Sequence, residues 1–237
     1  MKVVLLRVGI DTGSGGIHGP LFADGSFEFI PIPDGFGVDS RAYGNTLGRS
    51  GRYFIDYFPR RLQPKMTGRS MHVDPEFSTF TYGDPTPPKA GLRRLVAGDI
   101  LAFYCGLKGW DVPSAPALYL VAYFEVAVAG RAEDFDDDQI SGLFGENSHV
   151  RHPDICARQR GQLVLVKGSP ASRLLTTAVP ISVIGHDRIG RPIKLLSPEM
   201  QKIFGSFGGK VSIQRSPPRW VDEKCVARAA EFLHSLP

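Results

Sequence analysis

The sequence predicts one α+β domain that spans residues 1–237, with many short strands and few helices. The first observation is the share of turn-forming residues, 27 glycines and 19 prolines, which divides the chain into short segments. The second is that stretches with strand character outnumber stretches with helical spacing. The third is an ordinary balance of 42% hydrophobic and 22% charged residues in a chain long enough to bury a core.

The predicted strands follow from apolar runs and from alternation. The run VVLL in residues 2–8 is continuous enough to be buried on both faces. Residues 27–31 alternate well enough for a second strand, and a Pro-containing turn follows them. The further predicted strands are 100–104, 119–129, 162–166 and 179–184.

Helical signals are few. Pro170 would stand in the first turn of one short helix, and Ser197 would begin another. The last predicted helix has apolar residues at helical spacing along one side. The four predicted helices are 136–143, 169–175, 199–204 and 221–236.

Residues 35–92 show little period of either kind and are dominated by Gly, Pro and Arg. So long an irregular stretch inside a compact domain is usually functional or mobile. We therefore divide the chain into a core of about 1–34 and 95–185, an irregular insertion at 35–92, and a C-terminal helical extension at 197–237.

The insertion carries a basic run with interleaved aromatic residues. Between residues 49 and 69, Asp56 is the single acid. Cations that meet phosphates, beside rings that stack on bases, predict a nucleic-acid surface. The alternative is a solvated loop whose rings face the core. The predicted backbone contacts are Arg49, Arg52, Arg60, Arg61, Lys65 and Arg69, and the rings are Tyr53, Phe54, Tyr57 and Phe58.

Composition excludes several classes of protein. No segment approaches the roughly 18 apolar residues that a membrane span needs. Arg7 and Asp11 interrupt the apolar start too early for a signal peptide. The three cysteines lie far apart and form no CxxC pair, which indicates reduced thiols without a disulfide framework or a zinc knuckle. We expect a cytoplasmic protein with no membrane partner and no cofactor.

The motif DTGSGG at 11–16 follows the first strand directly. Its small residues, Gly15 and Gly16 among them, let backbone N–H groups approach an anion or a base edge. Asp11 could accept hydrogen bonds from a base or sugar, and Ser14 could donate to a phosphate. The motif matches neither a Walker loop nor a dinucleotide-binding fingerprint, and a plain structural turn is the alternative.

The remaining candidate catalytic or metal-binding residues lie in two histidine motifs. His72 and Asp74 alternate as on a strand and would share a face, where His149 or His152 could complete a metal cluster. Because HEXXH, HxH and paired CxxC are missing, we expect a hydrogen-bonded polar pocket without a metal. Rings of Tyr104 and Tyr123 are candidates to line a base pocket, with the core as their alternative location.

These motifs together resemble a known family. The segment from Gly98-Asp99 to the strand ending Phe-Glu-Val is similar to the small β-barrels of PUA-like domains, which hold nucleic-acid bases in a pocket. With the DTGSGG turn, PIPD at 31–34, HVDP at 72–75 and NSH at 147–149, the chain resembles the nucleotide modification associated domain family, third type, over roughly residues 1–185. Cys105 departs from the pattern, where a glycine-aromatic pair is expected.

The resemblance implies a PUA-like barrel and association with systems that make, read or restrict modified DNA bases. The leading hypothesis is a nucleic-acid-binding protein, DNA more than RNA, with a pocket for a flipped or modified base or a nucleotide. The alternatives are a base- or nucleotide-modifying enzyme or glycosylase-like hydrolase that uses Asp11 or Asp74, and a protein-interaction module.

One expectation separates the hypotheses. Asp11, Ser14, His72, Asp74, Asn147 and His149 should line a single cavity. A pocket that holds Asp11, His72 and Asp74 together favours the enzyme, whereas an open basic groove with stacked aromatics favours the binding protein.

Overall fold

A computed structural model describes residues 1–37, 39–214 and 217–237. Its strands are β1 (Val3–Arg7), β2 (Gly19–Leu21), β3 (Ile32–Pro33), β4 (Met71–His72), β5 (Thr81–Asp84), β6 (Ile100–Gly109), β7 (Ala117–Arg131), β8 (Val164–Gly168), β9 (Arg173–Pro180), β10 (Ser182–His186), β11 (Pro192–Leu196) and β12 (Arg219–Trp220). Its α-helices are α1 (Gln63–Met66), α2 (Asp137–Phe144), α3 (Pro153–Gln159), α4 (Pro198–Phe204) and α5 (Val226–His234).

An eight-stranded sheet forms the centre of the molecule. Its strands run in the order β12-β1-β6-β7-β8-β5, and β2 and β9 pair beside this path with β6 and β7. The pairs β1–β6 and β2–β6 are parallel and the others are antiparallel. Two small sheets, β3–β4 and β10–β11, stand apart from it.

The expected PUA-like barrel is not confirmed. Among the described residues, the end strands β12 and β5 do not pair with each other, so the sheet stays open. The long strand β7 changes partners along its length, with β9 beside 119–123 and β8 beside 126–131. Its register shifts at both pairings bend the sheet without closing it.

Most of the predicted strands and helices are present in the structure, and some predictions differ from it. The helix predicted over 169–175 is wrong, because residues 169–172 form a turn and β9 follows, with Leu174 opposite Ala122. The strand predicted over 27–31 is reduced to one bridge between Phe27 and Leu21. The strand predicted over 179–184 divides at the buried Ile181 into β9 and β10.

The insertion has a core of its own. Tyr43, Phe54, Tyr57 and Phe58 pack with apolar side chains from the segment after β1, and the Tyr43 hydroxyl donates to the Pro31 carbonyl at 2.7 Å. From the sequence we expect the rings of the basic run to stack on bases. That expectation is wrong for Phe54, Tyr57 and Phe58, because these rings are buried. The contacts within this second core hold the insertion against the sheet.

Helix α5 covers the main sheet. Its buried side chains Ala229, Ala230 and Leu233 join the core formed by β1, β6, β7 and α4. A smaller third core holds α2 and α3 against the end of β8, with Phe144 and Leu165 at its centre. None of the helices in the described part of the chain is long and apolar enough to cross a membrane.

Candidate functional site

A cleft of about 400 Å³ opens where four segments meet: the end of β1 with the turn at 11–16, the β3–β4 pair, β5, and the 3₁₀ helix Pro87–Arg94. Asp11, Ser14, His72 and Asp74 line it. We name this space the cleft. Residues separated by more than 60 positions in the chain thus share one surface.

The backbone of β5 holds Asp74 in place. The Gly83 N–H donates to both carboxylate oxygens of Asp74, at 2.9 and 3.2 Å. The neighbouring chain is fixed by paired hydrogen bonds between the backbones of Glu76 and Thr81. Asp74 is consequently rigid and buried, although one side of it faces the cleft.

Asn147 and His149 lie behind Asp74 rather than on the cleft wall. Asn147 follows α2, and its Oδ1 accepts the His149 N–H at 3.0 Å. The His149 Nδ1 lies 2.8 Å from Oε1 of Gln159 on α3. Since that oxygen only accepts, Nδ1 carries the proton and Nε2 presents a lone pair. His149 Nε2 lies 3.7 Å from Asp74 Oδ2.

His72 approaches the same carboxylate from β4. Its Nε2 lies 4.0 Å from Asp74 Oδ2, and its ring meets the His149 ring edge-to-face with the centroids 4.7 Å apart. The Nε2–Oδ2 distances of both histidines exceed hydrogen-bond length. His72, Asp74 and His149 therefore form a cluster, named here the His–Asp–His cluster, whose facing atoms do not satisfy one another.

Burial controls the charges of this cluster. It raises the pKa of Asp74 well above its ordinary value, against the opposing effect of the Gly83 N–H. Burial, together with the neighbouring His149, lowers the pKa of His72 to about 4. Burial also lowers the pKa of His149, although its bond to Gln159 acts the other way. Both imidazoles are consequently neutral near pH 7.

Asn147 supports Asp74 from the back of the site. Its side chain is fully buried, and its interaction with the Asp74 carboxyl group opposes the effect of burial on the pKa of Asp74. Because the Asn147 Nδ2 reaches no acceptor at hydrogen-bond distance among the described residues, this contact is longer than a full hydrogen bond.

Asp11 holds its own turn together. Its Oδ1 accepts hydrogen bonds from the Gly13 N–H, the Ser14 N–H and the Ser14 hydroxyl, and its Oδ2 lies 3.0 Å from an Arg7 nitrogen. Burial raises the pKa of Asp11, but Arg7 and these hydrogen bonds outweigh it, so the pKa lies below the ordinary value. Asp11 is thus an ionised carboxylate whose oxygens are already occupied.

The turn offers few backbone donors to a ligand. The N–H groups of Gly15 and Gly16 donate to the Asp11 carbonyl, which differs from the expectation that they face an anion. Both glycines instead line a hollow of about 420 Å³ that also contains Lys65 and Arg69. The turn also borders a third cavity, a surface depression. Residues 11–16 therefore lie between the cleft, the hollow and this depression.

That depression, named here the groove, has a volume of about 650 Å³. Arg60 and Lys108 line it together with Trp110, whose side chain is 44% exposed and whose ring contacts Tyr57 edge-to-face. Trp110 was not among the predicted site residues. The sequence signal for Trp110 was a single tryptophan two positions after a lysine, following a predicted strand. Packing of the ring in the core would explain this pattern equally well.

The predicted phosphate contacts divide into two groups. The Arg49 guanidinium donates to the Leu175 carbonyl and lies over the Phe27 ring, and Arg69 donates to the Asp34 carbonyl. The side chains of the other four form no hydrogen bond or ion pair within the described ranges: Arg52, Arg60, Arg61 and Lys65. Of the six, Arg60 lines the groove, and Lys65 and Arg69 line the hollow.

The expectation that Tyr104 and Tyr123 line the pocket is wrong. Tyr104 is fully buried in the main core, where its hydroxyl donates to the Ile213 carbonyl at 3.0 Å. Tyr123 is buried beside His234 of α5. The segment around Ile213 and helix α5 cover these rings, and strand alternation alone does not predict such a cover.

Several cleft residues were also missed, among them Arg7, Lys89 and Gly83. Arg7 ends β1, and Lys89 forms an ion pair of 3.1 Å with Asp84 at the cleft. A Cβ on Gly83 would stand 2.8 Å from Asn147 Oδ1 and 3.1 Å from His149 Cδ2. The glycine of the TYGD strand was the available signal, because a glycine inside a strand marks a close approach.

A comparison of the chain with protein families agrees with the resemblance seen in its motifs. The family model described as nucleotide modification associated domain 3 matches residues 2–235, which includes the C-terminal region for which the motifs offered no parallel. No curated protein and no solved structure matches the chain. On the strength of a match to nearly its whole length, the chain belongs to the nucleotide modification associated domain 3 family.

Proposed function

We propose that this protein is an enzyme that modifies or hydrolyses a nucleotide or a base of a nucleic acid, and that the reaction takes place in the cleft. The observation that carries the proposal is the meeting of Asp11, His72 and Asp74 in one cleft. The membership of the chain in a family associated with nucleotide modification supports the substrate class.

The reactive group of the proposed enzyme is the His–Asp–His cluster. It combines the rigid carboxyl group of Asp74 and the neutral imidazole of His72, which line the cleft, with the neutral imidazole of His149 behind them. Such groups activate water or polarise a substrate when they are held before the substrate arrives. Asp11 takes a different role, since its oxygens are occupied by the turn and by Arg7.

The rim of the cleft suits a ligand with phosphate groups. Arg7 and Lys89 supply positive charge there, and their partners Asp11 and Asp84 hold them in position. Beyond the turn, the groove adds Arg60, Lys108 and the exposed Trp110 ring. A strand whose backbone follows the groove and whose base stacks on Trp110 would deliver a neighbouring nucleotide to the cleft.

The groove also favours a second candidate, a binding protein without turnover. An exposed ring among cations is what a protein that only recognises nucleic acid requires. The two candidates make the same prediction for binding, and they differ in whether a nucleotide leaves the protein chemically changed.

The decisive experiment is incubation of the purified protein with a panel of modified and unmodified nucleotides and oligonucleotides, followed by mass spectrometry of the products. We expect turnover of at least one member by the wild type and a loss of about 10²–10⁴-fold in the Asp74→Asn variant. The control is Asp138→Asn, a surface carboxylate on α2 that lies away from the cleft. Binding without any product, by wild type and variants alike, would exclude the enzyme and leave the binding protein.

A further inference from the structure

We infer that His72, Asp74 and His149 form a binding site for one divalent transition-metal ion, with open coordination positions that face the cleft. This inference rests on the geometry of the cluster, and it holds whether or not the protein turns over a nucleotide. It replaces the expectation from sequence that the pocket contains no metal.

The donor atoms of the cluster are spaced as the ligands of one ion are. Two atoms that bind one ion at about 2.1 Å lie roughly 3.0–4.2 Å apart, depending on the angle between them. The Nε2–Oδ2 distances of 3.7 and 4.0 Å fall in this range. A ligand atom from each of the three residues lies within 4.8 Å of the others, so small movements of these side chains would bring all three to one ion.

The ligand atoms face one another without hydrogen bonds between them. His149 Nδ1 donates to Gln159, so the lone pair on Nε2 points toward the carboxylate of Asp74. His72 Nε2 approaches the same oxygen, and both distances are too long for a hydrogen bond. Three metal-ligating side chains thus converge in a buried place without hydrogen bonds between their facing atoms, and a cation bound there would give these atoms a common partner.

A second layer of contacts fixes the orientation of the three side chains. Metal-binding histidines nearly always donate their other N–H to a carboxylate or carbonyl group, which fixes the ring. Gln159 performs this function for His149, and the Gly83 N–H fixes Asp74. The ring of His72 is held edge-to-face against that of His149.

The neighbouring acids do not compete for the same ion. Asp84 accepts hydrogen bonds from Tyr82 and Thr86 and is paired with Lys89. Glu76 accepts from the Ser78 and Thr79 N–H groups. Within the described ranges the protein therefore supplies three ligands, and the remaining positions open to the cleft, as they do in catalytic metal sites rather than in closed structural ones.

The donor set indicates the class of metal. Two imidazoles and one carboxylate suit the ions from Mn²⁺ to Zn²⁺, whereas Mg²⁺ and Ca²⁺ prefer oxygen ligands alone. Bound there, such an ion would supply a Lewis acid for water or for a substrate oxygen.

The test is titration of metal-stripped protein with Co²⁺, followed by visible absorption spectroscopy and by competition with Zn²⁺. We expect one equivalent to bind, with the intense bands of a site of low coordination number that contains nitrogen ligands. His149→Gln and His72→Gln should each weaken Co²⁺ binding by more than tenfold. The matched control is His152→Gln, a neighbouring histidine outside the cluster, which should leave binding unchanged.

The wild-type spectrum decides the question even if a variant fails to fold. A spectrum of hexaaqua type, binding of no Co²⁺ at micromolar concentration, or equal binding by His149→Gln and wild type would overturn the inference. A Co²⁺ site without nucleotide turnover would contradict the proposed function and leave the metal site intact. Nucleotide turnover by a protein that binds no Co²⁺ would do the reverse.

Discussion

Asp11 and Asp74 are two carboxylates of one cleft, and their surroundings assign them different tasks. Asp11 is ionised, partly exposed and saturated with hydrogen bonds from its own turn and from Arg7. Asp74 is buried, and its pKa is raised because little compensates the loss of water. The sequence predicted both residues as candidates. It did not predict the difference, since burial and partners come from segments far along the chain.

At Asp11, substitution by Asn should affect stability more than chemistry. Asn keeps one acceptor for the turn but loses the charge that faces Arg7, so we expect a loss of about 1 kcal/mol in the free energy of unfolding at about pH 7. Turnover should stay within about tenfold of wild type, because Asp11 would not take part in proton transfer. Loss of turnover on the scale of Asp74→Asn would show that Asp11 acts in the reaction.

The stability difference between wild type and Asp11→Asn should depend on pH. The folded pKa of Asp11 lies below its ordinary value of 3.8, so the carboxylate stabilises the fold fully above that value. Its contribution is lost as the pH falls through the lowered folded pKa. Urea unfolding at about pH 7 and at about pH 2.5 should therefore show a deficit that shrinks in acid. A constant deficit would assign the effect to packing.

At the scale of elements, two errors of prediction arise at prolines. Helix α3 was missed although Pro153 occupies its first turn, and a helix was expected at 169–175 where β9 pairs with β7. In both places the local signal was a proline beside polar residues, and tertiary pairing decided the outcome. The strands β1, β6 and β7 were predictable because their apolar runs are long enough to be buried in any context.

Strand β5 provides a test of the cleft as a built unit. In Gly83→Ala, the new Cβ would displace Asn147 and His149, and we expect Co²⁺ affinity and turnover to fall by more than about tenfold. The matched control is Gly142→Ala on α2, where a Cβ meets no atom within 4 Å. That change should be neutral or stabilise the protein by up to about 1 kcal/mol. Equal behaviour of the two variants in both assays would contradict the assignment.

At the scale of the whole molecule, the C-terminal helix covers the sheet. The apolar stripe of α5 was compatible with packing on the sheet of its own chain and with packing on a second subunit. The sequence pattern of a stripe does not indicate which surface the helix packs against. In the structure Leu233 is buried in the main core. Leu233→Ala should lower the free energy of unfolding by about 2–5 kcal/mol, against little change for the exposed Glu231→Ala, as measured in urea. Equal stability of the two variants would contradict this packing.

The groove makes a prediction for the binding of oligonucleotides. Arg60 and Arg61 are exposed and belong to the group of cations without a bound partner in the described chain. Each phosphate contact that they make should contribute about 0.7–0.9 to the slope of log K against log salt. Arg60→Ala with Arg61→Ala should thus lower the slope by roughly one to two units. The control pair, Arg188→Ala with Lys210→Ala, should leave it unchanged, and an equal effect of both pairs would argue against the groove.

The central claim is that the nucleotide occupies the cleft, and photo-crosslinking tests it most directly. A nucleotide with a photoreactive azido group on its base is irradiated with the wild-type protein, and the labelled peptides are identified by mass spectrometry. We expect labels within 11–16, 71–74 or 82–89, the segments that line the cleft, and we expect these labels to be lost when unlabelled nucleotide competes. Competable labels confined to the β10–β11 hairpin or to α5 would contradict it.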